Sequence, residues 1–179
     1  MAENSLLIGG YLVLKATEGQ YSKLPVPVQP NIGLDIEIRQ SVLKILNSIL
    51  ADEAVLGMKT RNAHWNACGT GFLEQHTLLS SQYKQLNDIT DRIAERSRML
   101  GGTTPGSFGE FLLISQLDEI PGEVVDINNL LADQEATIRF LREATMKCSE
   151  ECTDEGTNDL LVEILRMHEK MAWMLRSYI

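Results

Sequence analysis

The chain has 179 residues, 44% hydrophobic and 23% charged, a globular composition with enough length for one sizeable core, which excludes a disordered chain. Its 25 acidic against 16 basic side chains give a net charge of −9, so the overall balance does not favour a phosphate backbone as partner. Cys68, Cys148 and Cys152 are an odd number that argues against a disulfide framework and for a reducing cytoplasm. The longest apolar run, Leu6 to Leu14, contains two glycines, is too short to span a bilayer, and lacks the basic flank of an export signal.

Residues 1–33 read as an N-terminal arm. Gly9-Gly10, Gly19, Pro25, Pro27, Pro30 and Gly33 punctuate it, and the prolines forbid a continuous helix; Leu6 to Leu14 is read as a short extended piece. Residues 34–179 read as one helical domain. Ile38, Val42, Ile45, Leu46, Ile49 and Leu56 recur at helical spacing and predict a first helix from about Asp35 to His64. Gly69-Thr70-Gly71 breaks that pattern. Phe72, Leu79, Tyr83, Leu86 and Ile93 then mark a second helix that stops at Gly101-Gly102, and so short a connection predicts antiparallel packing. From Thr103 to Pro121 a crossover carries a short helix around Phe111-Leu112-Leu113-Ile114. Ile127, Leu130, Leu131, Ile138 and Leu141 give a third long helix, and Asp154-Glu155-Gly156-Thr157 the next turn. Leu161, Ile164, Leu165, Met171, Ala172 and Leu175 give a fourth. With no strand pattern of useful length and no internal repeat, the prediction is an all-α four-helix bundle with one long crossover.

Several common sites are missing. There is no nucleophile elbow, phosphate loop or dinucleotide fingerprint. His168-Glu169 starts like a zincin motif, but Ala172 stands where its second histidine belongs. The Glu-x-x-His pairs of di-iron bundles are absent too. Cys148 and Cys152, four apart, are two metal-capable thiols without partners and read more simply as reduced cysteines. What remains is His64-Trp65, His76 and the segment Asp91 to Glu95. Singly, His64 suits a helix C-terminus, His76 a core, and Asp91 and Glu95 a solvated face. Together they suggest a metal site. His76, Asp91 and Glu95 share one flank of the second helix, about a third of a turn from its apolar stripe. Yet His76 and Asp91 are 15 residues apart, about 22 Å along a straight helix, too far for one ion with bonds near ~2 Å. A single site therefore requires histidines from one chain and carboxylates from an antiparallel second chain, in a two-fold dimer with two equivalent sites.

The run Lys59-Thr60-Arg61-Asn62-Ala63-His64-Trp65-Asn66, then Gly69, Gly71, Phe72 and His76, then Asp91-Arg92-Ile93-Ala94-Glu95-Arg96 into Leu100-Gly101-Gly102, resembles the Dps family of mini-ferritins. The resemblance runs from about Asp35 to the C-terminus, where Trp173-Met174-Leu175 also fits. It implies a ferritin-like bundle assembled as a hollow dodecamer that oxidises Fe(II), preferentially with hydrogen peroxide, and stores the ferric product. It maps the ferroxidase ligands onto His64 and His76 of one subunit and Asp91 and Glu95 of its two-fold partner. The family usually has a carboxylate one turn after the second histidine. Here that position is Ser80, which reduces both charge and coordination.

His168 lies in the apolar stripe Leu161–Leu165–Ala172–Leu175 and is either a hydrogen-bonded core histidine or a further ligand that compensates for Ser80. A nitrogen-richer site would also bind zinc well, making zinc a competitor of iron. Trp65 either shields the site or simply packs. By family analogy Asp133 lines a three-fold iron pore; its alternative is a solvated helix face. DNA compaction, the rival activity, is commonly carried in this family by a lysine-rich tail. Here Lys15 and Lys23 are balanced by Glu3 and Glu18, and Ser177-Tyr178-Ile179 adds no basic extension. The expectation is a cytoplasmic iron-storage ferroxidase with no DNA binding and no membrane association. The remaining alternative is a cage with weakened ferroxidation that mainly binds zinc.

Overall fold

The computed structural model describes residues 5–8, 11–14 and 28–179. A hairpin comes first, with β1 (Ser5–Ile8) antiparallel to β2 (Tyr11–Leu14), Ser5 opposite Leu14 and Ile8 opposite Tyr11. The sequence predicts one short extended piece over Leu6 to Leu14; the structure shows two paired strands there. Apart from Ser5 both tetrads are apolar, so they show no alternation, and Gly9-Gly10 reads as a break although two glycines are also a favoured hairpin loop. Pro25 and Pro27 of the predicted arm lie outside the described residues.

The helices are α1 (Ile36–Asn66), α2 (Phe72–Met99), α3 (Phe108–Ile114), α4 (Ile127–Met146) and α5 (Glu155–Arg176). They form the predicted all-α ferritin-like bundle with its long crossover. The stripes meet in one core: Val42 and Leu46 from α1, Leu86 and Ile93 from α2, Leu141 from α4 and Ile164 from α5 are each at 0% exposure. Burying each such side chain stabilises the fold by roughly 1.5–3 kcal/mol. Gly57 faces Leu86 while His64 meets His76, so α1 and α2 run antiparallel. Glu135 pairs with Arg176 and Arg142 with Glu169, seven residues on along α4 and seven back along α5, which makes these helices antiparallel as well.

The turn between α1 and α2 needs glycine at position 71. Its φ is +76°, and a Cβ there would come within 2.5 Å of the Tyr178 hydroxyl. That hydroxyl donates to the Gly71 carbonyl at 2.9 Å, bringing the C-terminal end of α5 beside the turn. In the crossover, α3 starts on a capping box formed by Ser107 and Glu110. Its far end is clasped by Asp52 of α1, which accepts from the Gln116 amide at 2.6 Å and the Ser115 hydroxyl at 2.8 Å. Burial pushes the Asp52 carboxyl above its ordinary range, against the lowering effect of those donors. The end of α4 widens into a π turn, Lys147–Glu151, and Asp154 then caps α5 by accepting from the Thr157 amide.

Candidate metal centre

His64 sits near the end of α1 and His76 in the first turns of α2. Their rings stack at a centroid distance of 3.8 Å. His64 Nδ1 lies 2.9 Å from the His76 carbonyl, and His76 Nδ1 lies 3.0 Å from the His64 carbonyl. A carbonyl can only accept, so both Nδ1 atoms donate and each Nε2 keeps its lone pair. Neither Nε2 has a hydrogen-bond partner among the described residues. Tyr83 stands edge-on to His64 at 5.3 Å, with the Arg61 guanidinium 5.2 Å from the Tyr83 ring centre. Phe72 leans on His76 at 5.1 Å. Ser80, one turn beyond His76, is half-buried and offers only a hydroxyl.

The carboxylates stay apart from this pair. Because α2 is uninterrupted from Phe72 to Met99, Asp91 remains about 22 Å from His76 along the axis. Two arginines fix which flank of α2 faces inward. Arg92 donates to Glu163 of α5 at 2.5 Å, and Arg96 to Asp154 and Thr157 at 2.9 Å each. The Arg92 guanidinium also holds the Glu163 carboxyl below the usual range. One residue before each arginine, Asp91 and Glu95 are exposed and form no ion pair among the described residues. Nowhere among the described residues do three or more His, Cys, Asp or Glu side chains converge on one metal position. The chain thus brings His64 and His76 together and leaves Asp91 and Glu95 facing outward as a separate pair.

Large apolar side chains next to the histidines in sequence are exposed, and so are two near the end of α5. Trp65 is 64% exposed, Leu73 67% and Trp173 59%, with Phe72 and Ile179 also exposed. Most of Trp65 is therefore left uncovered by its own subunit, and exposed apolar side chains of this kind mark an interaction surface.

His168 is a core histidine. It is fully buried, with Nδ1 2.7 Å from Gln134 Oε1 and Nε2 2.8 Å from Glu53 Oε1. The two neighbours come from α4 and α1, so the ring faces the bundle interior. Sequence reasoning missed Glu53 and Gln134. Asp133 is half-buried and paired, with Lys59 Nζ 2.6 Å from its Oδ2, rather than a free solvated carboxylate. Cys148 in the π turn and Cys152 just after it are both buried, and burial, followed by the neighbouring Cys152, pushes the Cys148 thiol up to about 12.

Comparison with known proteins agrees with this geometry. A family profile described as "Ferritin-like domain" matches residues 43–179. A low temperature-induced protein of Nostoc sp. strain PCC 7120, itself uncharacterised, is 42% identical over 153 residues, covering 83% of this chain and 86% of that protein. The DNA protection during starvation protein 2 of Bacillus anthracis is 32% identical over 145 residues, covering 79% of this chain and 99% of its own length. The crystal structure of the Vibrio cholerae Dps protein, described as belonging to a broad superfamily of ferritin-like diiron-carboxylate proteins, superposes with a TM-score of 0.78 at 30% identity. That match covers 84% of this chain and 96% of the other. With a family match over most of its length and relatives of this identity and coverage, the chain belongs to the Dps family of ferritin-like proteins.

Proposed function

We propose that this chain is the subunit of a hollow dodecamer that oxidises Fe(II) at sites shared across two-fold axes, preferentially with hydrogen peroxide, and stores the ferric product. The observation that carries this reading is the clamped histidine pair. Two Nε2 lone pairs are left free beside exposed apolar side chains, with no carboxylate among the described residues of the same chain completing a metal position beside them. In this reading an antiparallel copy covers those side chains and supplies Asp91 and Glu95 of the partner subunit to His64 and His76. Iron is substrate and cargo.

The ligand types suit the reaction. Imidazole binds Fe(II), and carboxylate oxygens favour the harder Fe(III) that follows. Two Fe(II) ions each give one electron to one hydrogen peroxide. Its O–O bond breaks and, with two protons, two waters form and no hydroxyl radical is released. The cage acts in the cytoplasm; no helix among the described residues is long and apolar enough to cross a membrane. Ser80 supports a second reading, a cage that binds zinc well and oxidises iron slowly, because the site has lost one anionic ligand.

Stopped-flow measurement of Fe(II) oxidation under peroxide and under oxygen, with and without Zn(II), separates the two. Asp91→Asn and Glu95→Gln should each slow the peroxide reaction at least about tenfold while light scattering shows the cage still assembled. Ser80→Asp should bind iron more tightly or react faster. A wild-type cage that oxidises Fe(II) no faster than buffer sinks the first reading, and tight zinc retention by that same cage favours the second.

A further inference from the structure

The turn that joins the two histidine-bearing helices is built on glycine. Gly69 and Gly71 have φ of +85° and +76°, and without a Cβ their backbone has wide rotational freedom. Yet this turn sets how the end of α1 meets the start of α2, and with it how the rings of His64 and His76 stack. Within the hairpin it is held by backbone alone. The Phe72 amide donates to the Gly69 carbonyl at 3.2 Å and the Gln75 amide to the Gly71 carbonyl at 3.0 Å. Among the described residues, one side chain hydrogen-bonds to residues 67–71, and it comes from just past the end of α5. Tyr178 gives its hydroxyl to the Gly71 carbonyl at 2.9 Å. That carbonyl therefore accepts twice, once from the first turn of α2 and once from across the bundle, which uses both of its lone pairs.

Tyr178 is itself anchored. The chain leaves α5 with the Ser177 amide on the Trp173 carbonyl and the Tyr178 amide on the Leu175 carbonyl, each at 3.0 Å, and Leu175 is fully buried. The hydroxyl is thus carried on the packed body of the bundle. From Gly71 the path to the histidines is little more than one helical turn. Phe72, the next residue, leans on the His76 ring at 5.1 Å, and the His76 ring and carbonyl both close on His64. We propose, resting on the metal-centre reading above, that Tyr178 is a positioning residue for the histidine pair. Its hydroxyl fixes the Gly71 peptide, and so the spacing and angle at which the two Nε2 atoms are offered to a metal ion. Phenylalanine at this position would keep the ring and remove only the bond.

Co(II), which accepts the same imidazole and carboxylate ligands as Fe(II), is titrated into the assembled protein and followed by its visible absorption, whose position and intensity report ligand geometry. Tyr178→Phe should bind Co(II) about threefold more weakly than wild type, on the scale of one neutral hydrogen bond, with a shifted absorption band. Arg176→Gln breaks the exposed pair with Glu135 in the last turn of α5 and leaves the Gly71 bond in place. It should keep the wild-type affinity and spectrum. A purely structural hydroxyl would lower the Tm of Tyr178→Phe and leave Co(II) affinity and spectrum unmoved, which overturns the proposal; an equal loss of affinity in Arg176→Gln also overturns it. A protein carrying His64→Ala and His76→Ala tells this failure from that of the metal centre. If those changes abolish Co(II) binding, the histidine pair holds metal and a wild-type titration by Tyr178→Phe removes the positioning role alone. If they leave binding intact, the shared centre falls and the positioning role falls with it.

Discussion

His64 and His76 each give Nδ1 to the other's backbone carbonyl, so in the proposed centre the backbone itself selects Nε2 as the nitrogen offered to a metal. These two residues were legible because a His-Trp pair and a second histidine twelve residues on are local features of the sequence. The interior pair was not. Glu53 lies four residues after Ile49 and three before Leu56, on the apolar stripe of α1, but a count of apolar positions passes over a carboxylate. At the same scale, Cys148 yields a pH prediction. Its thiol is raised from 9.0 to about 12 in the folded chain, so the folded state holds this proton more tightly than the unfolded state. That contribution to stability is complete below pH 9 and is lost as pH rises from 9 through 12. Denaturant midpoints for wild type should therefore fall more steeply over that window than those for Cys148→Ala. At pH 8 only the exposed Cys68 should react quickly with a thiol reagent, whereas three equally fast thiols would contradict the burial of the π turn.

The α2 helix shows how an element aims a surface. Arg92 and Arg96, one turn apart, tie one flank to α5, and Asp91 and Glu95 are thereby turned outward. Arg96 also completes the surroundings of Asp154, whose side chain is only 3% exposed and which caps α5. Arg96→Ala leaves that carboxylate with its capping donors alone and should cost about 3 kcal/mol. For a subunit of this size the loss corresponds to a Tm lower by roughly 6–12 °C by calorimetry. An unchanged Tm would mean the arginine is dispensable. The four long helices were legible to within a few residues, because each carries its own 3.6-residue stripe and ends at glycine or a capping residue. What escaped the sequence depended on partners far along the chain: Lys59 against Asp133, Asp52 against Gln116, and Gln134 against His168. No local period encodes such pairs.

Charge is the property of the whole molecule that bears on DNA. Each chain contributes −9, so an assembled cage repels a phosphate backbone unless a basic segment offsets it. No retardation of duplex DNA is expected at physiological salt with sub-micromolar protein. Retardation that disappears on deleting residues 1–33 would overturn this expectation. The division of the proposed centre, histidines on one helix hairpin and carboxylates about four turns down α2, has a thermodynamic corollary. A site owned by no single chain couples metal affinity to subunit association, and the coupling must be equal in both directions. Whatever factor dimerisation adds to metal binding, metal adds to dimerisation. A ligand at a hundredfold excess over its Kd stabilises the associated state by about 2.7 kcal/mol per site. Sedimentation of the protein at increasing dilution, with and without Zn(II), should show the metal-loaded species dissociating at lower concentration than the apo form. Metal supply would then set how much of the protein exists as a cage at all.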